Sequence, residues 1–433
     1  MYNHAIEYEP TREEQSHAYA KVTARIIPFL FLCYVAAYLD RVNVGFAKLQ
    51  MMSDLGLSDA AYGLGAGVFF IGYLLCEVPS NLIMMKVGAR RWIARIMITW
   101  ALVSAAMMLV KSPTSFYITR FLLGVAEAGF FPAVALYLTY WFPPSRCAKA
   151  TALFMTAIPM SGVFGGPLSG YILHSMGNLG GLAAWQWLFL IEALPSLILG
   201  VAAFFFLDDR VEDAKWLTAQ ERAILATNLK SEQHHRHLNS LREGFANKKI
   251  WLLSIMFLFF TMGLYGISFW LPTIIKQTGV ADPLNVGLLT ALPYGAAAIS
   301  MVMVSRSSDA RRERRWHVAI PGLIGSLGLL VSALNSHDTT ISLVALTFGT
   351  AGVLTTISQF WVLPPSFMGG AAVAAGFAVA NTIGSVSGLV APYLIGLVQG
   401  FSHSTTGGVF ALAACGVLGS VMVFMIDSKS VNH

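Results

Sequence analysis

Six ionisable side chains, Asp40, Arg41, Glu77, Arg120, Glu127 and Glu192, lie inside stretches otherwise made of apolar residues. In a hydrocarbon medium a central charge costs roughly 2.5–3.5 kcal/mol, so six isolated ones would cost on the order of 15–20 kcal/mol. They must pair, take up a proton or face water. A guanidinium fork fits a carboxylate bidentately, whereas a nearby ionised acid repels the same anion until it is protonated. Arginine plus protonatable acid is therefore a pattern for taking up an anion together with a proton. Arg120 and Glu127 are two helical turns apart and share a face. Asp40 and Arg41 are adjacent, about 100° apart on a helix, so one of them must face a neighbouring helix. Asp40 and Arg120 are expected at matching depth, where they could pair. Buried acid–arginine pairs also serve purely as packing locks, and that alternative stays open. Glu77 could equally anchor a loop, and Glu192 is expected to be structural.

The second half offers hydroxyls, amides and aromatic rings in place of arginines and acids. Tyr265, Ser268 and Trp270 fall in the seventh span, Gln359 and Trp361 in the tenth, and Asn381 and Ser385 in the eleventh. Gln359 and Asn381 suit hydroxyl or carboxylate oxygens, and Trp270, like Tyr38 in the first half, suits a flat ligand face. For each, helix packing is an equally good reading.

The elements that must position these groups follow from composition. Of 433 residues, 56% are hydrophobic and only 12% charged, with mean hydropathy +0.65. A chain so poor in polar residues could not cover a water-exposed surface. It does hold apolar runs of spanning length at about 26–47, 61–84, 92–111, 114–139, 150–173, 186–207, 250–272, 284–304, 317–335, 339–362, 371–398 and 406–427. The expectation is an all-α membrane protein of twelve transmembrane helices in two six-helix bundles. The bundles would cover 26–207 and 250–427, joined by a polar linker, 208–249, and flanked by short tails, 1–25 and 428–433. Of the 28 Lys and Arg, 23 fall in segments on the side of the N-terminus, 3 on the opposite side and 2 within spans. That bias predicts both termini in the cytoplasm.

The linker is expected to hold a surface helix, because Thr218 and Glu221 have capping-box spacing. Its His234, His235, Arg236 and His237 could in principle hold a metal, but nothing nearby would complete a coordination shell. Cys33, Cys76, Cys147 and Cys415 suggest neither disulfides nor a zinc site. The net charge of +6 is too small and scattered for a nucleic-acid binder, and no cleavable leader is expected at the N-terminus. Glycines in "GLGAGVFFIGY" (Gly63 to Tyr73) and "SGVFGGPLSGY" (Ser161 to Tyr171) would let helix backbones approach closely. Basic loops follow both the second span ("KVGARR") and the eighth ("SDARRERR"), suggesting a six-plus-six duplication with a site between the halves.

Several segments resemble one family: "YLDRVNVGFA", "EVPSNL", "RFLLGVAEAGFFP", "WQWLFLIEALPS" and "AKWLTAQER". They are similar to the anion:cation symporter branch of the major facilitator superfamily, nearest the bacterial permeases for tartrate, phthalate or hydroxyphenylacetate. The resemblance implies alternating access and proton-coupled uptake of a small organic anion, with the proton gradient rather than a cofactor as the driving element. It maps the family's first-helix pair onto Asp40 and Arg41, its fourth-helix pair onto Arg120 and Glu127, and a polar eleventh-helix position onto Asn381. Its gating loop falls on Lys86, Gly88 and Arg90, with Asp309 in the second copy. The chain departs from the family pattern at Met85, which stands where the first loop carries an aspartate, so the first gate must be held differently. Gly162, Gly166, Pro167 and Gly170 partly resemble a drug/proton antiporter signature, with Tyr171 replacing its last glycine.

The expected protein is thus a monomeric symporter of the inner membrane. Arg120 and Arg41 would bind a carboxylate, Asp40 and Glu127 would exchange the proton, and Asn381 and Gln359 would add specificity. An exporting antiporter is the alternative, and a non-transporting membrane sensor is a third reading. No nucleophile, metal cluster or nucleotide loop suggests an enzyme.

Overall fold

The computed structural model describes residues 11–233, 248–364 and 371–428. The His234–His237 cluster and residues 429–433 lie outside them. Among the described residues, twelve helices are long and apolar enough to cross a membrane. In the first half they are α1 (Arg12–Leu55), α2 (Asp59–Val87), α3 (Ala89–Leu109), α4 (Pro113–Thr139), α5 (Lys149–Ser175) and α6 (Ala184–Phe206). In the second they are α7 (Lys248–Gln277), α8 (Pro283–Arg311), α9 (Arg315–Leu334), α10 (Thr339–Phe360), α11 (Val379–Ser402) and α12 (Thr406–Met425). Odd-numbered helices lead away from the end where the described chain begins, and even-numbered ones return to it. The two ends are called terminal and distal below.

α1 extends well beyond its apolar run. A capping box at Thr11 and Glu14 starts it, so residues 12–25, expected as a tail, form its first turns. Their polar side is covered by the linker helix Ala219–Gln233: Lys21 Nζ donates to Glu221 Oε2 at 2.9 Å, and Gln220 Nε2 to Glu14 Oε1 at 3.1 Å. The linker helix has the expected cap, with the Glu221 N–H donating to Thr218 Oγ1 at 3.1 Å and the Thr218 N–H to Glu221 Oε2 at 2.8 Å. Trp216 anchors it by stacking on Trp141 and donating to Asp208.

Among the described spans, α4 is broken near mid-depth, at Ala128 and Gly129, where the backbone leaves helical geometry. At α4 the chain turns through Gly129 at φ +86°, a left-handed conformation that glycine adopts without steric cost. Broken helices survive at this depth only where protein or an aqueous cavity satisfies the freed backbone groups.

The internal repeat is visible in packing. Arg90, after α2, lies over Phe204 of α6 at 5.4 Å, and Arg315, after α8, lies over Phe424 of α12 at 5.3 Å. The two bundles meet along α2 with α11 and α5 with α8, through small residues. A Cβ on Gly170 would sit 2.6 Å from the Pro283 carbonyl oxygen, and one on Gly67 would sit 2.7 Å from that of Leu389. Larger side chains would hold these backbones apart. Both seams lie in the distal half, which is therefore closed, and His174 Nδ1 with Asp282 Oδ1 at 2.6 Å adds a cross-bundle contact there.

Candidate functional site

Between the bundles, near mid-depth, lies a cavity of about 630 Å³ including its open mouth. α1 presents Tyr34, Tyr38 and Arg41 to it, residues at i, i+4 and i+7 and so on one helical face. α2 adds Phe70 and Tyr73, while the second half supplies Phe257, Thr261, Tyr265, Trp361, Asn381 and Ser385. One wall therefore carries a guanidinium and phenols, and the other carries rings, hydroxyls and an amide.

Arg41 is the cation of this cavity. Its Nε donates to Glu127 Oε1 at 3.0 Å and its Nη2 contacts the same oxygen. Phe69 and Tyr73 rings stand 5.4 and 5.5 Å from its guanidinium carbon. Glu127 is the last residue before the break in α4, while Arg41 lies on a stretch of α1 that stays helical through Asn43. An acid and a base from different helices thus meet at one point, beside the cavity that supplies the polar surroundings a broken helix needs.

Asp40 points the other way, into the first bundle. Trp100 Nε1 donates to its Oδ2 at 3.0 Å, Ser104 Oγ to its Oδ1 at 2.9 Å, and Ser196 Oγ also bonds to it. The expected Asp40–Arg120 pair does not form. Adjacent positions on α1 diverge, and the face holding Asp40 packs on α3 and α6 rather than α4. Three donors satisfy its carboxylate within the bundle.

Arg120 is also placed differently from expectation. It is fully buried between α2 and the distal part of α7, outside the cavity lining. Nε donates to the Gly65 carbonyl at 3.4 Å and Nη2 to that of Ala66 at 3.3 Å, while Phe69 and Phe269 rings flank it. The space a Gly65 side chain would occupy is filled by the Phe116 ring, one turn before Arg120 on α4. Arg120 and Glu127 do share a face, but Glu127 is held by Arg41.

Trp270 and Gln359 likewise lie outside the cavity. Trp270 is sealed in the distal seam, donating through Nε1 to the Pro392 carbonyl at 3.2 Å. The ammonium of Lys48 rests 3.4 Å from a Trp270 ring centroid and pairs with Asp59 at 2.9 Å. Gln359 donates to Ser305 of α8 at 2.7 Å, a contact within the second bundle. Two turns of α10 separate Val353 from Phe360, and only Ile357 and Trp361 of that helix face the cavity. Tyr38 lines the cavity and shares a 2.8 Å hydrogen bond with Ser268 of the other bundle, closing its distal side. Asn381 also lines it, and its Nδ2 donates 2.9 Å to Glu77 Oε1.

The gating positions lie at the terminal end. Lys86 is exposed, and Gly88 at φ +97° starts the turn into α3. The Arg90 N–H donates to Asp209 Oδ1 at 2.8 Å, so an aspartate from beyond α6 caps the first turn of α3. In the second copy Asp309 pairs locally with Arg314 at 2.6 Å. Sequence reading did not find Asp209, because 119 residues separate it from Arg90. Lys48, counted as a loop residue, also escaped notice. The i, i+4, i+7 run of Tyr34, Tyr38 and Arg41 was the one local signal available.

Comparison with known proteins agrees with this architecture. A family model described as Major Facilitator Superfamily matches residues 30–392. A provisionally named tartrate transporter of Agrobacterium vitis is 46% identical over 97% of this chain and 93% of its own. A provisionally named metabolite transport protein of Pseudomonas putida is 46% identical over 96% and 95%. A quinolone resistance transporter of Acinetobacter baumannii is 39% identical over 94% of each chain. Among solved structures, a D-xylose-proton symporter superposes with TM-score 0.75 at 14% identity, over 94% of this chain and 99% of its own. At that identity the likeness concerns the fold. The chain belongs to the Major Facilitator Superfamily: it is a multi-pass inner-membrane transporter, not an enzyme.

Proposed function

We propose that this transporter takes up a small organic anion, a hydroxylated dicarboxylate or an aromatic acid, together with protons. The observation that carries the reading is the Arg41–Glu127 pair at the wall of the central cavity. In the structure Glu127 occupies the guanidinium as a ligand carboxylate would. Protonating Glu127 cancels its charge and frees the Arg41 fork for an incoming carboxylate, so proton and anion load in the same step. Tyr34, Tyr73 and Tyr265 around Arg41 offer hydroxyls to the anion, and Trp361 with Phe257 offers a ring surface. Asp40, held by three donors, acts as a fixed acid behind the site, and Arg120 braces α2 against α4 rather than clamping the ligand.

With the terminal end cytoplasmic, as the distribution of lysine and arginine favours, the closed distal seams make this an inward-facing arrangement. The relative named for tartrate transport supports the anion class. In proteoliposomes, an acidic exterior should drive accumulation of a labelled carboxylate such as L-tartrate or 4-hydroxyphenylacetate. Efflux driven by the same gradient would instead favour the antiporter reading, for which the quinolone resistance relative gives specific support.

A further inference from the structure

Glu77 is a buried carboxylate with no part in the mechanism above. It lies on α2, ten residues from its terminal end, and its partner Asn381 lies on α11 of the other bundle. Their 2.9 Å hydrogen bond therefore crosses between the bundles, and its donor belongs to the cavity lining. Distal to this point α2 and α11 are pressed together at Phe70 with Gly388, Gly67 with Leu389 and Gly63 with Pro392. The Glu77–Asn381 bond thus sits at the terminal-side edge of the α2–α11 seam, beside the cavity mouth.

Arg41 of α1 is the charge that acts on Glu77 through space. The neutral phenols of Tyr73, one turn earlier on α2, and of Tyr265 on α7 also lie within its reach. On α4, Glu127 is already engaged by Arg41. On α3, Arg95 stacks on Trp92, whose Nε1 is given to Ser80. Asn381 of α11 is the hydrogen-bond donor given to Glu77.

We propose that Glu77 is a second proton-binding site, one that controls whether Asn381 is free to hold the anion. Ionised, Glu77 claims the amide N–H through a charge-assisted bond, about twice as strong as a neutral one. Once a solvent proton enters from the mouth and forms the carboxylic O–H, Glu77 becomes a weak acceptor. Asn381 Nδ2 can then turn to a carboxylate or hydroxyl oxygen of the ligand beside Arg41. The exchange also unlatches α2 from α11, so ligand loading and rearrangement of the bundle interface draw on the same donor.

This inference rests on the anion reading for its ligand but not for its titration, and the test separates the two. Infrared pH-difference spectra of the lipid-reconstituted, ligand-free protein should contain a protonated-carboxyl C=O band that is absent in Glu77→Gln. The band should move in Asn381→Ala, where the partner amide is gone. Spectra of wild type and Glu77→Gln that match would overturn the proposal whatever the substrate proves to be. With L-tartrate or 4-hydroxyphenylacetate as probe, proton uptake per anion bound should fall by about one in Glu77→Gln. Binding itself should persist. Unchanged proton uptake in a variant that still binds would also overturn it. Failure of both probes to bind wild type counts against the anion reading, and the infrared result then decides the role of Glu77 alone.

Discussion

The two walls of the central cavity share aromatic rings but differ in charge. The first bundle brings Arg41, Glu127 and, one turn behind the lining, Glu77, while the second brings Phe257, Thr261, Tyr265, Trp361 and Asn381. A charge buried in a bundle stores large electrostatic energy and responds to protonation. A ring or amide responds to shape and to hydrogen-bond geometry. The division suggests that the first half sets the coupling and the second half chooses the ligand, although the repeat gives them one architecture.

Substitutions can break that comparison directly. The largest effect should come from Arg41→Ala, which strands Glu127 and removes the ligand's cation. Loss of one partner in a buried charge pair costs about 2–5 kcal/mol, some 30-fold or more in affinity. Equilibrium binding at fixed pH measures it, and an affinity like wild type would mean the first wall does not hold the anion. Next, Glu127→Gln should bind at neutral pH at least as well as wild type yet lose gradient-driven accumulation while keeping counterflow. Accumulation at the wild-type level would remove Glu127 from coupling.

On the second wall, Trp361→Ala should weaken an aromatic ligand by about 1 kcal/mol, roughly fivefold, without changing proton stoichiometry. A change in stoichiometry instead would dissolve the division of labour. Far from either wall, Lys48→Met tests the distal closure. Losing the ammonium over Trp270 should cost the closed seam about 0.5–2 kcal/mol, read as faster labelling of an engineered cysteine beside Trp270.

The smallest effect is expected at the linker helix. Partial burial works against ionisation of Glu221, but bonds from Thr218 and the Lys21 ammonium outweigh it and hold this carboxyl below its ordinary range. Its contribution to docking on α1 is therefore complete above the ordinary carboxylate value and fades as pH falls through the depressed one. Protease cleavage near Ala219 should rise modestly across that acid window, and in Glu221→Gln it should lose that pH dependence.

Spans, bundle division and the capped linker helix were legible in the sequence because each rests on local pattern. A spanning run needs about twenty apolar residues in a row, and a capping box needs four positions. Even the opposite fates of Asp40 and Arg41 followed from a 100° step along one helix. The structure places Arg120 outside the cavity lining for a physical reason. Helical periodicity fixes which residues share a face, but not the rotation of that face toward a neighbour.

Chain order and hydropathy thus determined that this is a twelve-helix membrane protein with the charges of its spans concentrated in the first half. Only the folded arrangement decided which charges meet. Arg41 found Glu127, Asp209 reached the Arg90 N–H 119 residues before it, and Glu77 reached across to Asn381. Such pairs depend on helix rotation and on the break at Gly129, set by side-chain packing summed over whole interfaces, which no short stretch of sequence contains.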